Sequence, residues 1–489
     1  MKLPLVFIVI QVLYFIVTTV NSHLIPRDDK LVNNEFNRIN NFEPGRRIHR
    51  TRRSLAVRRR QFLWNDGIIP YEIEDIFSGD QRRLFKRAMR HWEQSTCIHF
   101  VKRIEKVHKN YIVFTKSDCG CCSFVGKKRY GPQPISIVNQ CSNFGIILHE
   151  LGHAIGFHHE HTRYDRDQYI KVFLDNVQED KFNKLSVEST NTLGLPYDYN
   201  SIMHYARFAF AKKFRSTIEP TRKINGRTPE IGQRRALSTV DITATKLLYN
   251  CSGSGSFFEP YYMIIPPIHP DDSPEVSDKC KWTIRAAEGE RIKITLTSWD
   301  IQETPNCTVE YVEIKNGYLA NSPVLARICG TVNKSIIVTA SNFVSVTYAR
   351  IRYENYHLGF ILKYETICGG DINLESDDIY YLEAPNYPGL YEPNKQCYWF
   401  IKVPHKHHIE IKFHYFELEE SKDCKNDFVK VQEGRNENAP VIGSYCGKND
   451  HLEVASLMRR IFLTFISNES IEAGGFSATI SAKPINNTN

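Results

Sequence analysis

His149-Glu150-Leu151-Gly152-His153-Ala154-Ile155-Gly156-Phe157-His158-His159-Glu160, preceded by the apolar run Phe144 to Leu148, is the stretch on which the reading of this chain turns. Residues four apart on a helix share a face, so His149 and His153 can aim two imidazoles at one cation, with Glu150 beside them as a general base. Gly156 lets the helix stop there. A residue without Cβ tolerates left-handed φ/ψ, and the chain can turn back to bring His159 to the same ion. Three protein ligands leave a position for water, the pattern of a catalytic zinc site. A bare H-E-x-x-H arises by accident on solvated surface helices; a Gly and a third His at fixed offsets make the accident rare. Downstream, Ser201-Ile202-Met203-His204-Tyr205 has the form of a Met-turn.

Continued to His161-Thr162-Arg163-Tyr164-Asp165-Arg166-Asp167, the stretch resembles the astacin signature of the metzincins, a resemblance that covers roughly residues 54 to 251. It implies that His149, His153 and His159 hold zinc and that Glu150 is the catalytic base. Tyr205, after Met203 of the Met-turn, would be a further metal-side ligand that swings to stabilise the oxyanion, and Glu160 would anchor the mature amino terminus. Cys119-Gly120-Cys121-Cys122-Ser123-Phe124-Val125-Gly126 narrows the resemblance to the tolloid (procollagen C-proteinase) subgroup. Proteases of that subgroup favour an acidic residue after the scissile bond through a lysine whose place here is Asn143; Arg207 and Lys212 are other sources of positive charge.

Residues 3 to 20 are an almost uncharged apolar run behind Lys2, so residues 1–22 read as a secretory signal peptide, with a signal anchor as the rival. Residues 23–53 are polar and without periodicity, a propeptide ending in Arg50-Thr51-Arg52-Arg53, which a furin-like protease would cut to leave Ser54 first, with Arg58-Arg59-Arg60 as an alternative cut. The Phe-x-Gly-Asp string with which the family silences its zinc is not found there. Residues 1–53 hold nine Lys/Arg and four Asp/Glu, so only +3 of the formal +8 charge belongs to residues 54–489. That excess is a cleavage signal and not a nucleic-acid surface, since no basic stripe with interleaved aromatics remains.

Within residues 54–251, strand-like runs such as Ile68 to Ile73 and Tyr111 to Phe114 alternate with a helix expected over Gln81 to Gln94, on which Leu84, Phe85, Ala88, Met89 and Trp92 form one apolar face. Asp165 to about Gly194 reads as loop plus helix, and Thr239 to Tyr249 as a last helix before Cys251. The remainder is a tandem repeat. Cys280, Trp282, Gly317 and Cys329 recur 117 positions later as Cys397, Trp399, Gly434 and Cys446. Alternating runs such as Tyr311 to Lys315 and Phe428 to Gln432 mark half-buried strands, so each unit is expected to be a β-sandwich with its own core. These marks resemble CUB domains, placed at residues 254–366 and 368–482. The expected architecture is an α+β metzincin protease domain followed by two all-β CUB sandwiches.

CUB domains of this kind often bind calcium through acidic loops. Glu419 and Asp427 match in the second unit, with Asn468 where an aspartate is usual, whereas the first unit reads Gln302, Glu310 and Ile351. Asn468 also opens a sequon, and a glycan there would exclude the metal; the other sequons are Asn250, Asn306, Asn333 and Asn486. Of thirteen cysteines one must be left over or shared between molecules. The resemblance pairs Cys97 with Cys251, Cys119 with Cys141, Cys121 with Cys122, Cys307 with Cys329, Cys368 with Cys397 and Cys424 with Cys446, leaving Cys280. Cys251 lies 29 residues before Cys280, the interval that separates Cys368 from Cys397, so the repeat offers Cys251 as its alternative partner.

Two functional classes emerge: a secreted, extracellular zinc endopeptidase, or an adhesion scaffold with an inert protease. Every ligand and the base are present, which favours the enzyme. Matrix or growth-factor processing then competes with a digestive, hatching or moulting role, and the CUB pair favours the former by supplying surface for large protein substrates.

Overall fold

The computed structural model describes residues 55–177, 181–212, 215–251, 255–264, 278–330, 335–350 and 359–485. The signal peptide, the propeptide, Ser54, Ile351 and the sequons at Asn333 and Asn486 lie outside them. Among the described residues no helix is long and apolar enough to cross a membrane.

The amino-terminal domain is built on five strands: β1 (Ile68–Ile73), β2 (His99–Lys102), β3 (Tyr111–Thr115), β4 (Cys122–Ser123) and β5 (Pro132–Ser136). They run in the order β2-β1-β3-β5-β4, parallel except for β4 against β5. Helix α1 (Gly79–Ser95) opens with a capping box in which the Ser78 hydroxyl accepts from the Gln81 N–H and the Gln81 side chain accepts from the Ser78 N–H. It is a turn fraction longer than its apolar spacing indicates, because capping is polar chemistry that hydrophobic periodicity does not register. Phe85, Ala88, Met89 and Trp92 face the sheet residues Ile112, Phe114 and Ile135, and the same core takes Ile147, Leu148 and Leu151 of α2 (Phe144–Ile155). Helix α3 (Thr239–Tyr249) closes the domain.

Between Asp165 and Gly194 the expected helix does not form: the described residues hold only 3-10 turns at Arg166–Gln168 and Leu174–Asn176 and the short strands Ile170–Val172 and Thr190–Asn191. The stretch buries Ile170, Val177 and Phe182 against Tyr197, Tyr199, Tyr205 and Ile218, but these are scattered and do not form a helical stripe, Leu174 being exposed. It is organised instead around the buried Arg163, whose guanidinium donates to Glu160 at 2.9 Å and to both oxygens of Asp165.

The repeat units are two sandwiches, each a five-stranded sheet on a four-stranded one. In the first, Asp278–Arg285 and Phe343–Arg350 pair around a core of Trp282, Val344, Val346 and Phe360; in the second, Gln396–Lys402 and Arg460–Ile466 pair around Trp399, Leu463, Phe465 and Phe476. Both pack against α1. Lys86 pairs with Glu383, and Arg90 donates to the Asn386 and Tyr387 carbonyls.

Six disulfides join Cys97–Cys251, Cys119–Cys122, Cys121–Cys141, Cys307–Cys329, Cys368–Cys397 and Cys424–Cys446. Two differ from the expected scheme, which joined Cys119 to Cys141 and Cys121 to Cys122. Consecutive Cα atoms are about 3.8 Å apart across a trans peptide, below the usual ~4.4–6.8 Å of a disulfide, and neighbouring side chains in extended backbone point to opposite faces. Cys121 therefore reaches Cys141, while Cys122 closes back on Cys119 over the Gly120 turn, at Cα separations of 5.9 and 6.1 Å. Cys280 is buried and stands outside the six pairs.

Candidate metal centre

Asn143 caps α2, its side-chain oxygen accepting from the Gly145 N–H at 3.0 Å. The helix ends at Gly156, whose φ of 131° is open to glycine and strained for other residues. The next residues turn back, and His159 arrives at the face from which His149 and His153 project.

The histidine tautomers follow from their partners. Nδ1 of His149 lies 2.8 Å from the Ile202 carbonyl and Nδ1 of His153 2.7 Å from the Phe157 carbonyl. A carbonyl can only accept, so both Nδ1 atoms carry the proton and both Nε2 atoms present lone pairs. Those atoms lie 3.2 and 3.1 Å from His159 Nε2. Burial pushes the imidazoles of His149 and His159 well below the usual range and that of His153 to about 4, so all three are neutral at pH 7. Converging neutral imidazoles are what a zinc ion takes, and among the described residues this is the one group of its kind. Beside them Glu150 is buried, its Oε2 has no hydrogen-bond partner, and burial raises its carboxyl to about 7. The donor set and the orphaned carboxylate oxygen together fit zinc and an activated water.

Met203 lies directly beneath. A Cβ on Gly152 would stand 2.5 Å from its Sδ, so the missing side chain at residue 152 leaves room for the Met203 thioether against the helix. The Glu160 N–H donates to the Met203 carbonyl at 3.2 Å, tying the third histidine's neighbour to the same turn. The ring of Tyr205 packs against His159 and His161, with centroids 4.3 and 3.9 Å away.

Glu160 accepts from Arg163 and from the Asp198 N–H at 2.9 Å each, and it lines a small cavity with Leu55, His158 and Asp198. Arg207 stands 3.7 Å from Glu219, so its charge is partly offset. Asn250 and Asn306 are exposed; Asn468 is half-buried. Asn468 donates its backbone N–H to Asp427 at 2.7 Å and its side chain to Glu419 at 3.0 Å, which brings the three acidic-loop positions of the second unit together. In the first unit Glu310 is already occupied by the Tyr348 hydroxyl and the Gln302 N–H.

Two supports escaped the sequence reading. Asp241 accepts from the Ser201 hydroxyl at 2.7 Å and the Ile202 N–H at 2.9 Å, and Arg234 donates to the carbonyls of Ile202 and His204, so α3 and the segment before it clamp the Met-turn. For Asp241 a signal existed in Ser238-x-x-Asp241, a capping-box pattern that fixes the carboxylate at a helix start. For Arg234 nothing local distinguishes it from its neighbour Arg235.

Comparison with known proteins decides the family. Residues 56–250 match the model of the astacin peptidase family. Residues 251–364 and 368–480 each match the CUB domain. The chain belongs to the astacin family and carries two CUB domains behind its peptidase domain. It is 39% identical over 464 residues to the dorsal-ventral patterning protein tolloid of Drosophila melanogaster, covering 89% of this chain and 43% of that one. With human tolloid-like protein 1 the identity is 39% over 428 residues, covering 86% and 42%. The chain thus spans less than half the length of these curated relatives. A solved structure, high choriolytic enzyme 1, a hatching enzyme zinc-protease from Oryzias latipes, is 40% identical and covers 39% of this chain and 93% of its own, with a TM-score of 0.35.

Proposed function

We propose that this astacin–CUB chain is a secreted zinc endopeptidase that cleaves extracellular proteins, with matrix or growth-factor precursors favoured as substrates. The observation that carries this reading is the convergence of three neutral imidazole nitrogens beside a buried Glu150 whose Oε2 has no partner. His149, His153 and His159 would hold the ion. Zinc, when bound, supplies Lewis acidity toward the scissile carbonyl and toward water. Glu150, with its carboxyl raised to about 7, is poised to take a proton from water at neutral pH and return it to the leaving amine. Tyr205 would hydrogen-bond the carbonyl oxygen as it gains charge, and Asn143 and Arg207 would border the pocket after the scissile bond.

Six disulfides suit an oxidising compartment. We place maturation at Arg53, by a furin-like protease, with Glu160 receiving the new terminus through the cavity it shares with Leu55. In the second CUB unit Glu419 and Asp427 would take calcium when Asn468 carries no glycan.

The test is a metal analysis and cleavage profile of the mature secreted protein. One zinc per chain and cleavage inside folded or extended extracellular proteins are expected. A metal-free protein, or one that cleaves nothing with zinc bound, would overturn the reading.

A further inference from the structure

The first CUB sandwich reaches into the astacin domain at a point that matters for the zinc helix. Glu93, on α1, is 3% exposed and accepts from the Phe100 N–H at 2.7 Å. A buried carboxylate with one neutral donor is strongly disfavoured. Its charge is faced by Arg90 on the same helix and met in direct contact from the other domain: Arg285, the last residue of the strand Asp278–Arg285, donates to Glu93 at 2.7 Å and also to the Phe100 carbonyl. Nearby, the His99 ring packs on Phe343 and His108 meets the Tyr318 hydroxyl at 3.2 Å, so the contact is a docked surface and not a single pair.

The neighbour of Glu93 connects this contact to the metal centre. Trp92 is fully buried, donates its indole N–H to the Leu148 carbonyl at 3.1 Å, and lies under Gly152 between the two helical histidines. We infer that Arg285 is a positioning residue for the zinc site: by neutralising Glu93 it holds the end of α1, and through Trp92 the helix that presents His149 and His153, so that the docked first CUB unit supports the working geometry of the zinc helix. Removing one partner of a buried ion pair leaves a charge that must find water, and the close-packed segment carrying it moves as well.

This inference rests on the proposed peptidase activity, and the experiment separates the two. Mature full-length protein is compared as wild type, Arg285→Gln, Glu93→Gln and the double variant, on a fluorogenic peptide of about eight residues, too short to engage a distant CUB surface. Glutamine at 93 keeps the acceptor for the Phe100 N–H and drops the charge. The expected result is a fall in kcat on the order of tenfold for Arg285→Gln with KM within about twofold, since small misplacements of catalytic groups act on kcat. The Glu93→Gln change alone leaves the Arg285 cation without its carboxylate and should lower kcat as well, whereas the double variant, which removes both charges, should return kcat to within about threefold of wild type. Unchanged kcat in Arg285→Gln, or a double variant as impaired as the single, overturns the inference. If Arg285→Gln is not secreted, recovery of secretion and activity in the double variant supports it and their joint absence refutes it. An inactive wild type counts against the peptidase reading, and thermal midpoints then decide the inference: a drop in Arg285→Gln reversed by Glu93→Gln supports it, and no reversal refutes it.

Discussion

The three-histidine centre and the acidic loop of the second CUB unit are both buried polar clusters, yet their unused hydrogen-bonding capacity differs. At the centre, the Nδ1 protons of His149 and His153 are committed to carbonyls, their Nε2 lone pairs face one another, and Glu150 Oε2 has no partner. In the CUB loop each carboxylate oxygen already receives a proton donor: Glu419 from Asn426 and Asn468, Asp427 from Tyr391 and the Asn468 N–H. Lone pairs without donors repel each other until a cation arrives, whereas satisfied oxygens hold together without one. A cation should therefore be indispensable at the first cluster and an increment at the second.

Chelation tests the contrast most directly. Removing zinc from the mature protein should abolish cleavage and lower the melting of the astacin domain while leaving the second CUB unit nearly unchanged, as followed by metal analysis and calorimetry. Equal loss of both transitions would break the comparison. Next in size, Glu150→Gln should reduce kcat by about 10²–10⁴-fold at unchanged zinc content, because the carboxylate serves as base and not as ligand. Zinc lost in proportion to activity would contradict that role.

Asp241→Asn sharpens the point that the empty-handed cluster is held from outside. It trades an acceptor of the Ser201 hydroxyl and the Ile202 and Ser238 N–H groups for an amide with one acceptor oxygen. A loss of about 1–3 kcal/mol is expected in denaturant melts, with weaker zinc retention. Asp427→Asn should remove any calcium-induced rise in the melting of the second CUB unit, a rise we expect to be only a few degrees in wild type; a shift as large as that produced by zinc would erase the contrast. Smallest of all, Asn143→Lys should move cleavage toward acidic residues on the leaving side, read from a site profile. Because Asn143 also caps α2, the substitution should cost about 0.5–2 kcal/mol of stability, so specificity and melting are to be measured together.

The centre was legible because its chemistry is written at short range. The four-residue spacing of His149 and His153 and the stop at Gly156 need only helix geometry, and the Met-turn brings a residue type seldom placed at such a turn by chance. What the sequence did not disclose depends on distant partners. Arg83, Lys86 and Arg90 occupy the polar side of an amphipathic helix, and that pattern is the same for a solvated face and for one docked on the carbonyls of Asn386, Tyr387 and Pro388. The pairing within Cys119 to Cys122 departs from the expected one for a related reason: four nearby thiols satisfy several schemes on paper, and the direction in which each side chain leaves the strand selects one. The helix expected after Asp165 fails where the buried ion pairs of Arg163 and scattered apolar contacts of Ile170, Val177 and Phe182, in place of a helical stripe, organise the chain.

The bridge from Cys97 to Cys251 spans 154 residues and joins the end of α1's turn into β2 to the residue after which the CUB units begin. Its consequence is mechanical. A pull on the CUB units would load the amino-terminal domain at Cys251, and the covalent bridge would carry part of that tension directly to Cys97, alongside the contacts that α1 makes with both sandwiches.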